Sequence, residues 1–254
     1  MKKKVYAIKE GYDFIKNVRV KNKLVNTWDE CLTYVKGVKG AKYKSFTNLE
    51  EAEEYLNDDK TLLIKDKDIY PNDCLHVYVD GSFNIDTGRY SYALVVVKNN
   101  IIEYMENGVA KDQSGIKLRQ ILGELKAATR SYEYAIENNI KKIVLFHDYE
   151  GIFHHAIGTW NRKDISSQVY YEKFNKYKNE YGLEVIFVKV DSHTGDLFNE
   201  ITDNYAKLAG GLQLTNAVDK GILQEKIKVK SEKLKLEIEN LISSMNYNKI
   251  EVVK

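Results

Sequence analysis

LHVYVDGSF, residues 75–83, is the stretch that decides the fold. Its apolar residues at 75, 77 and 79 alternate with the others, as in a β-strand, and the strand is predicted to end at Asp80-Gly81-Ser82. A carboxylate held at the end of a strand presents an anion at the mouth of a sheet. The same three residues are also common in turns, so both interpretations stay open on this stretch alone.

The segments that follow predict an α/β domain over residues 75–211. Apolar alternation and continuous apolar runs predict four more strands, at 92–97, 101–105, 143–146 and 184–190, with a turn at Asn99-Asn100. Helices are predicted at 117–138, 166–181 and 196–209. Hairpins followed by strand–helix–strand crossovers predict a mixed five-stranded sheet with helices on its faces.

Three further segments flank this domain. Residues 1–56 predict a small α+β unit of three strands and two helices. Residues 1–49 contain twelve Lys and Arg against four Asp and Glu, which favours a polyanionic partner. Residues 57–74 are interpreted as a linker, and residues 212–254 as a helical extension of unknown role.

The composition is that of a globular protein, with 254 residues, 43% hydrophobic and 30% charged. No apolar run approaches the roughly 18 residues needed to cross a bilayer, and the N-terminus lacks the apolar core of a signal peptide. We therefore expect a cytoplasmic protein with no membrane partner. Its two cysteines, Cys31 and Cys74, are expected to be reduced, and a monomer is the default.

Four carboxylates stand out by position. Asp80 and Asp148 each follow a predicted strand, and parallel strands would bring both to the same sheet edge. Glu124 lies beside the apolar stripe of its helix, whereas no helical period directs Asp203 toward the sheet. A boundary residue and a solvated helix charge remain the alternatives for these two. Clustered carboxylates need cations, and all-oxygen ligands suit Mg²⁺ or Mn²⁺.

Four motifs together resemble type I ribonucleases H. They are VDGS at 79–82, GEL at 123–125, HD at 147–148, and HTGD at 193–196 with DNYA at 203–206. The resemblance covers residues 75–211 and implies a ribonuclease H-like sheet. It implies that Asp80, Glu124, Asp148 and Asp203 bind two Mg²⁺ ions, with Mn²⁺ as a possible substitute. It further implies that His193, on a loop, assists proton transfer or product release, and that Ser82 lies near the RNA strand.

Residues 4–56 are similar to the hybrid-binding domain at the start of many ribonucleases H, which also occurs in caulimovirus viroplasmin. The similarity lies in YAIKEG at 6–11, TWDEC at 27–31 and AKYKSF at 41–46. It implies aromatic contacts to the sugars and lysine contacts to the phosphates of an RNA–DNA hybrid. The basic insertion of many members is short here, at 158–163. The implied contact residues are Tyr6, Trp28, Lys42, Tyr43, Lys44, Trp160 and Lys163.

The resemblances together predict an endonuclease that cuts the RNA strand of RNA–DNA hybrids without sequence preference, leaving 5′-phosphate and 3′-hydroxyl ends. One alternative is a nuclease of the wider superfamily that acts on DNA. The other is a non-catalytic protein that binds hybrid or duplex RNA. A binder would hold hybrid without metal and never cleave it.

Overall fold

The structure is a computed structural model that describes residues 4–57, 62–110, 120–191 and 195–253. The chain divides into two compact units, Met1–Thr61 with Ile157–Asn161, and Leu62–Ala156 with Arg162–Lys254. Within the described ranges, no helix has both the length and the apolar character needed to cross a bilayer.

The first unit is a three-stranded antiparallel sheet with a helix on each face. In chain order its elements are β1 (Val5–Asp13), β2 (Val18–Val25), α1 (Trp28–Val35), β3 (Lys42–Phe46) and α2 (Leu49–Asn57). The strands lie in the order β2-β1-β3. Alternation along β1 turns Ile8 toward Cys31 of α1, and turns Ala7 toward Ala52 of α2. The α+β unit predicted from the sequence is therefore confirmed.

The second unit is a mixed sheet covered by helices. Its strands are β4 (Leu63–Ile64), β5 (Leu75–Asn84), β6 (Arg89–Lys98), β7 (Ile101–Ala110), β8 (Lys142–His147), β9 (Glu184–Lys189), β10 (Ile227–Val229) and β11 (Ile250–Val252). Its helices are α3 (Gln120–Glu137), α4 (Gly151–Ala156), α5 (Ile165–Tyr181), α6 (Leu197–Gly210), α7 (Ala217–Ile222) and α8 (Glu232–Glu239). A 3₁₀ helix spans Ser244–Lys249.

The five long strands form the centre of this sheet, in the order β7-β6-β5-β8-β9. The β5, β6 and β7 strands are antiparallel, whereas β8 is parallel to both β5 and β9. Asn99 and Asn100 both have positive φ, at 52° and 60°, which fits the tight turn predicted between β6 and β7. The predicted mixed sheet with helices on its faces is confirmed.

The prediction that the first strand ends at Asp80-Gly81-Ser82 is wrong. The β5 strand continues to Asn84, and Gly81 and Ser82 pair with Tyr92 and Ser91 of β6. A hairpin partner satisfies the backbone of these residues, so the turn propensity of Asp-Gly-Ser is overridden by pairing.

The five strands predicted within residues 75–211 are confirmed as β5 to β9, but the described residues form eight strands in this sheet, because three strands from the flanking segments join it. The additional β4 pairs with β9, and β10 pairs with both β7 and β11. These strands are two or three residues long, too short for a period of two to be visible. They lie in the segments interpreted as a linker and as a helical extension, so neither segment is purely what the sequence predicted.

The C-terminal residues complete the core of the second unit. Eight side chains after residue 212 are buried in the same hydrophobic cluster as β6, β7 and α6. They are Val218, Ile222, Ile227, Val229, Leu234, Ile238, Leu241 and Ile250. Residues 212–253 are therefore part of this unit's fold.

Truncating a core side chain of α8 tests this interpretation. Ile238 is fully buried, so Ile238→Ala is expected to lower the free energy of unfolding by about 2–5 kcal/mol. Leu236→Ala on the same helix is the matched control, because Leu236 is 61% exposed, and we expect a change below about 0.5 kcal/mol. Denaturant unfolding measures both. Equal effects would show that the extension does not share the core.

Candidate metal centre

Strand register places the first two carboxylates side by side. Tyr78 of β5 pairs with Phe146 of the parallel β8, so Asp80 and Asp148 lie at the same level, each two residues further along. Asp148 follows the end of β8, whereas β5 continues past Asp80 to Asn84. The two carboxylates are close together, as the sequence predicted, but they meet at the carboxyl end of β8, a kind of edge where open α/β sheets bind ligands, and Asp80 lies within its own strand.

A glycine contact brings the third carboxylate to this edge. A Cβ atom at Gly123 would lie 2.4 Å from the Ser91 carbonyl oxygen and 2.8 Å from Gly81 Cα, and one at Gly81 would lie 2.2 Å from the Glu124 nitrogen. The α3 helix therefore touches the backbone of β5 and β6 at a place where only glycine fits. Glu124, the next residue on α3, is consequently held against Asp80.

Asp80, Glu124 and Asp148 form a cluster of carboxylates. One oxygen from each lies within 4.8 Å of the others. Asp80 is 6% exposed and Glu124 is 2% exposed, whereas Asp148 is partly buried. The cluster combines close negative charges with poor access to water, an arrangement that is costly without a neutralising partner.

The electrostatics of the cluster show this cost. Burial raises the pKa of Asp80 well above its ordinary value, and the charges of Asp148 and Asp203 raise it further. Burial also raises the pKa of Glu124, with Asp80 and Asp148 adding to the shift. Asp80 and Glu124 are close enough for their two carboxyl groups to share a hydrogen bond. The Gly81 N–H also donates to Asp80 Oδ1, at 2.7 Å.

The donor set fits divalent cations. Glu124 Oε2 is buried without a hydrogen-bond partner among the described residues, so this oxygen is available for a ligand. Carboxylate oxygens are the ligands that Mg²⁺ and Mn²⁺ prefer. Asp80, Glu124 and Asp148 are therefore the residues that would hold such ions first.

Asp203 lies near the cluster but outside its 4.8 Å grouping. It is buried on α6, and its charge contributes to the raised pKa of Asp80. Its Oδ2 accepts a hydrogen bond from Lys207 Nζ at 2.6 Å, one helical turn further along. The structure thus brings Asp203 to the site, although the helical period did not predict its burial, and pairs it with a lysine that the sequence analysis did not identify.

Two further residues, His193 and Ser82, were predicted to act near the carboxylate cluster. His193 lies outside the described residues, so its role stays a prediction. Ser82 lies on β5 and is only 8% exposed. Its proposed position beside an RNA strand also stays a prediction.

The first unit presents a row of three aromatic side chains. The Trp28 ring centroid lies 5.7 Å from that of Tyr6 and 5.9 Å from that of Tyr43. Trp28 and Tyr43 are 41% and 43% exposed. We call Tyr6, Trp28 and Tyr43 the aromatic row. Large apolar rings left this accessible are suited to packing against sugars or bases.

The predicted basic residues are not gathered on this row. Lys42 and Lys44 alternate with Tyr43 along β3, so their side chains leave the sheet on its other face. The Lys44 ammonium lies 5.5 Å from the ring centroid of Phe46, a residue of that face. Trp160 is 39% exposed and Lys163 is also exposed. Contacts of these residues to nucleic acid stay predictions.

Gly81 and Gly123 are the functional positions that the sequence analysis missed. Both occur in the quoted motifs, but they were considered only as a turn residue and as a neighbour of Glu124. No local pattern reveals a contact between a strand and a helix that are about forty residues apart in the sequence. The signal in the sequence was that each glycine is adjacent to a candidate metal ligand, Gly81 to Asp80 and Gly123 to Glu124.

The fold and the cluster define an α/β domain with a carboxylate site suited to divalent cations, joined to a small α+β unit. Residues 4–56 match the family model described as the Ribonuclease H1 N-terminal domain. The resemblance stated above for the same range is therefore confirmed. The chain matches no curated protein.

Solved structures of ribonucleases H give distant matches. Ribonuclease H1 of Halobacterium salinarum has 18% identity and a TM-score of 0.43, covering 53% of this chain and 96% of its own. The N-terminal ribonuclease H domain of a Mycobacterium tuberculosis protein, solved as a fusion with maltose-binding protein, has 12% identity and a TM-score of 0.42, covering 59% and 96%. A ribonuclease H1 isolated from compost, solved with an RNA/DNA hybrid, has 14% identity and a TM-score of 0.44, covering 53% and 98%.

Proposed function

We propose that this chain is a ribonuclease H that hydrolyses the RNA strand of RNA–DNA hybrids. The observation that carries the proposal is the cluster of Asp80, Glu124 and Asp148, with Asp203 beside it, in a chain whose residues 4–56 match the Ribonuclease H1 N-terminal domain. A carboxylate cluster at the carboxyl edge of a sheet is suited to phosphodiester hydrolysis with divalent cations.

Each carboxylate has a role in this proposal. Asp80, Glu124, Asp148 and Asp203 would hold two Mg²⁺ ions, which Mn²⁺ could replace. Bound there, the ions would supply activation of a water molecule and stabilisation of the leaving oxygen, and the products would carry 5′-phosphate and 3′-hydroxyl ends. The contact of α3 with β5 holds Glu124 at a fixed distance from Asp80, and Lys207 balances the charge of Asp203. His193 assists proton transfer or product release.

The first unit binds the hybrid independently of sequence. The aromatic row packs against sugar faces, and Lys42 and Lys44 contact phosphates. Trp160, which belongs to the first unit, adds a contact, and so do Ser82 and Lys163 of the second unit. Sequence independence is expected because backbone and sugar contacts carry no base information. Monomeric state and cytoplasmic location stay predictions.

A substrate panel tests the proposed activity. Wild type, Asp148→Asn and Asp73→Asn each receive one labelled sequence as RNA–DNA hybrid, duplex RNA and duplex DNA, with and without Mg²⁺. We expect wild type to cut only the RNA of the hybrid, only with metal, and Asp148→Asn to bind hybrid without cutting. Asp73 is exposed and precedes β5 at its far end from Asp80, so Asp73→Asn should cleave like wild type.

Each alternative function has its own outcome in this panel. Cleavage of duplex DNA would favour a nuclease of the wider superfamily. Hybrid binding by wild type without any cleavage would favour a non-catalytic binder. Activity that survives Asp148→Asn would place the chemistry elsewhere.

Hybrid binding by the aromatic row is tested separately. Trp28→Ala removes the central ring of the row and is expected to weaken hybrid binding about tenfold, since truncating an aromatic anchor commonly costs more than about 1 kcal/mol. Binding is measured in the Asp148→Asn background to prevent cleavage. Phe14→Ala is the control, because Phe14 is 62% exposed at the turn between β1 and β2. Equal affinity of the two variants would contradict the role of the row.

A further inference from the structure

The segment predicted as a linker is fixed to the edge of the sheet by backbone contacts. Leu63 and Ile64 of β4 pair with Val188 and Lys189 of β9. The Lys65 N–H continues this pairing and donates to the Lys189 carbonyl oxygen at 2.9 Å. Lys65 therefore has a defined position beside β9 of the second unit.

The side chain of Lys65 points into the protein. Its ammonium forms an ion pair with Asp196 and donates to the Tyr78 hydroxyl at 3.1 Å. It also lies 5.2 Å and 5.5 Å from the ring centroids of Tyr78 and Phe146. The two charged side chains are only 19% and 10% exposed. Removing one member of such a pair leaves the other charge buried and uncompensated.

Asp196 divides its two oxygens between this pair and the start of α6. Asp196 is the N-cap of α6, and its Oδ1 accepts a hydrogen bond from the Asn199 N–H at 3.1 Å. Its Oδ2 faces Lys65. The lysine of β4 thus holds the residue that begins the helix carrying Asp203. Because a helix moves as a rigid element, a shift of its first turn displaces a side chain two turns later.

We propose that Lys65 is a positioning residue for the carboxylate cluster. Its ion pair with Asp196 fixes the first turn of α6, and this sets where Asp203 lies relative to Asp80. The inference rests on the proposed function, because it concerns the efficiency of the same site. Lys65 itself contacts none of the four carboxylates proposed as ligands in the interactions described above.

Activity and stability are separated by a double variant. Lys65→Met is expected to lower kcat for hybrid cleavage about 10- to 100-fold and to raise the Mg²⁺ concentration needed for half-maximal rate, with hybrid affinity within about twofold. Lys65→Met combined with Asp196→Asn removes the uncompensated charge, and Asn caps a helix as well as Asp does. We expect its thermal stability to recover while kcat stays low. Lys67→Met, at an exposed neighbour, is the control.

A recovery of kcat together with stability in the double variant would overturn the proposal, because the ion pair would then serve the fold alone. An unchanged kcat and Mg²⁺ dependence in Lys65→Met would overturn it as well.

Hydrogen exchange gives a readout that does not depend on catalysis. The amides of Asn199 and Glu200 bond to the side chain and the carbonyl of Asp196, and we expect both to exchange faster in Lys65→Met than in wild type. If wild type cleaves no nucleic acid but these amides lose protection, the proposed function fails while the fixing of α6 by Lys65 stands. Unchanged exchange would overturn the positioning role even in an active enzyme.

Discussion

Replacing Asp80 by asparagine is expected to abolish metal-dependent hybrid cleavage, with a fall in rate of more than about a thousandfold. Asp80 lies at the centre of the cluster, within reach of Glu124 and Asp148 and near the charge of Asp203. Loss of this ligand removes several kcal/mol of electrostatic stabilisation from the reaction, and each ~1.4 kcal/mol corresponds to a factor of ten.

The same substitution is expected to stabilise the metal-free protein at neutral pH. Burial and neighbouring carboxylates raise the pKa values of Asp80 and Glu124 in the folded state, so the folded protein retains protons that the unfolded chain releases. The stability that these retained protons contribute is fully present when the pH is below the pKa values of the two carboxyl groups in the unfolded chain. It is lost as the pH rises through their pKa values in the folded protein. Wild type in a chelator should therefore lose stability as the pH rises, and Asp80→Asn should lose less.

Denaturant unfolding in a chelator, at several pH values between 5 and 8, measures this effect. Adding Mg²⁺ should stabilise wild type more than Asp80→Asn, because only wild type retains the full ligand set. An Asp80→Asn variant that is less stable than wild type at every pH would contradict the electrostatic cost ascribed to the cluster. Retained cleavage would contradict the role of Asp80 itself.

Gly123→Ala is expected to be the second most damaging substitution, although it changes no candidate ligand. The added methyl group would lie 2.4 Å from the Ser91 carbonyl oxygen and 2.8 Å from Gly81 Cα. Neither backbone atom can move without the strand, so α3 must shift away from β5 and carry Glu124 with it. We expect a fall in rate of about a hundredfold and a loss of about 1–3 kcal/mol in the free energy of unfolding.

Gly221→Ala provides a matched control on α7. A methyl group there would lie 3.0 Å from the end of the Leu197 side chain, which can rotate, and at ordinary contact distances of 3.8 Å and 3.9 Å from Leu197 Cβ and Cα, so the first turn of α6 need not move. Alanine is also favoured over glycine in a helix by up to about 1 kcal/mol. We expect unchanged cleavage and equal or higher stability. Cleavage by Gly123→Ala at the wild-type rate would show that the glycine contact does not position Glu124.

Much of the second unit could be predicted from its sequence because its central elements are long. The predicted strand at 143–146 lies within β8, and the predicted helix at 166–181 lies within α5. The shorter elements escaped prediction for a physical reason. The β4 strand has two residues and β10 and β11 have three each, so their conformation is set by the edges they pair with and not by their own period.

The sequence by itself determined the type and order of the long strands and helices, and the expectation that Asp80 and Asp148 share a sheet edge. These properties follow from periodicity and from strand direction, which are local. Only the tertiary structure decided that Glu124 meets Asp80 through Gly81 and Gly123, and that Asp203 of α6 is buried near Asp80 of β5. Those contacts join residues from separate elements. Close packing between two backbones produces no periodic pattern in the sequence, so sequence analysis cannot predict it.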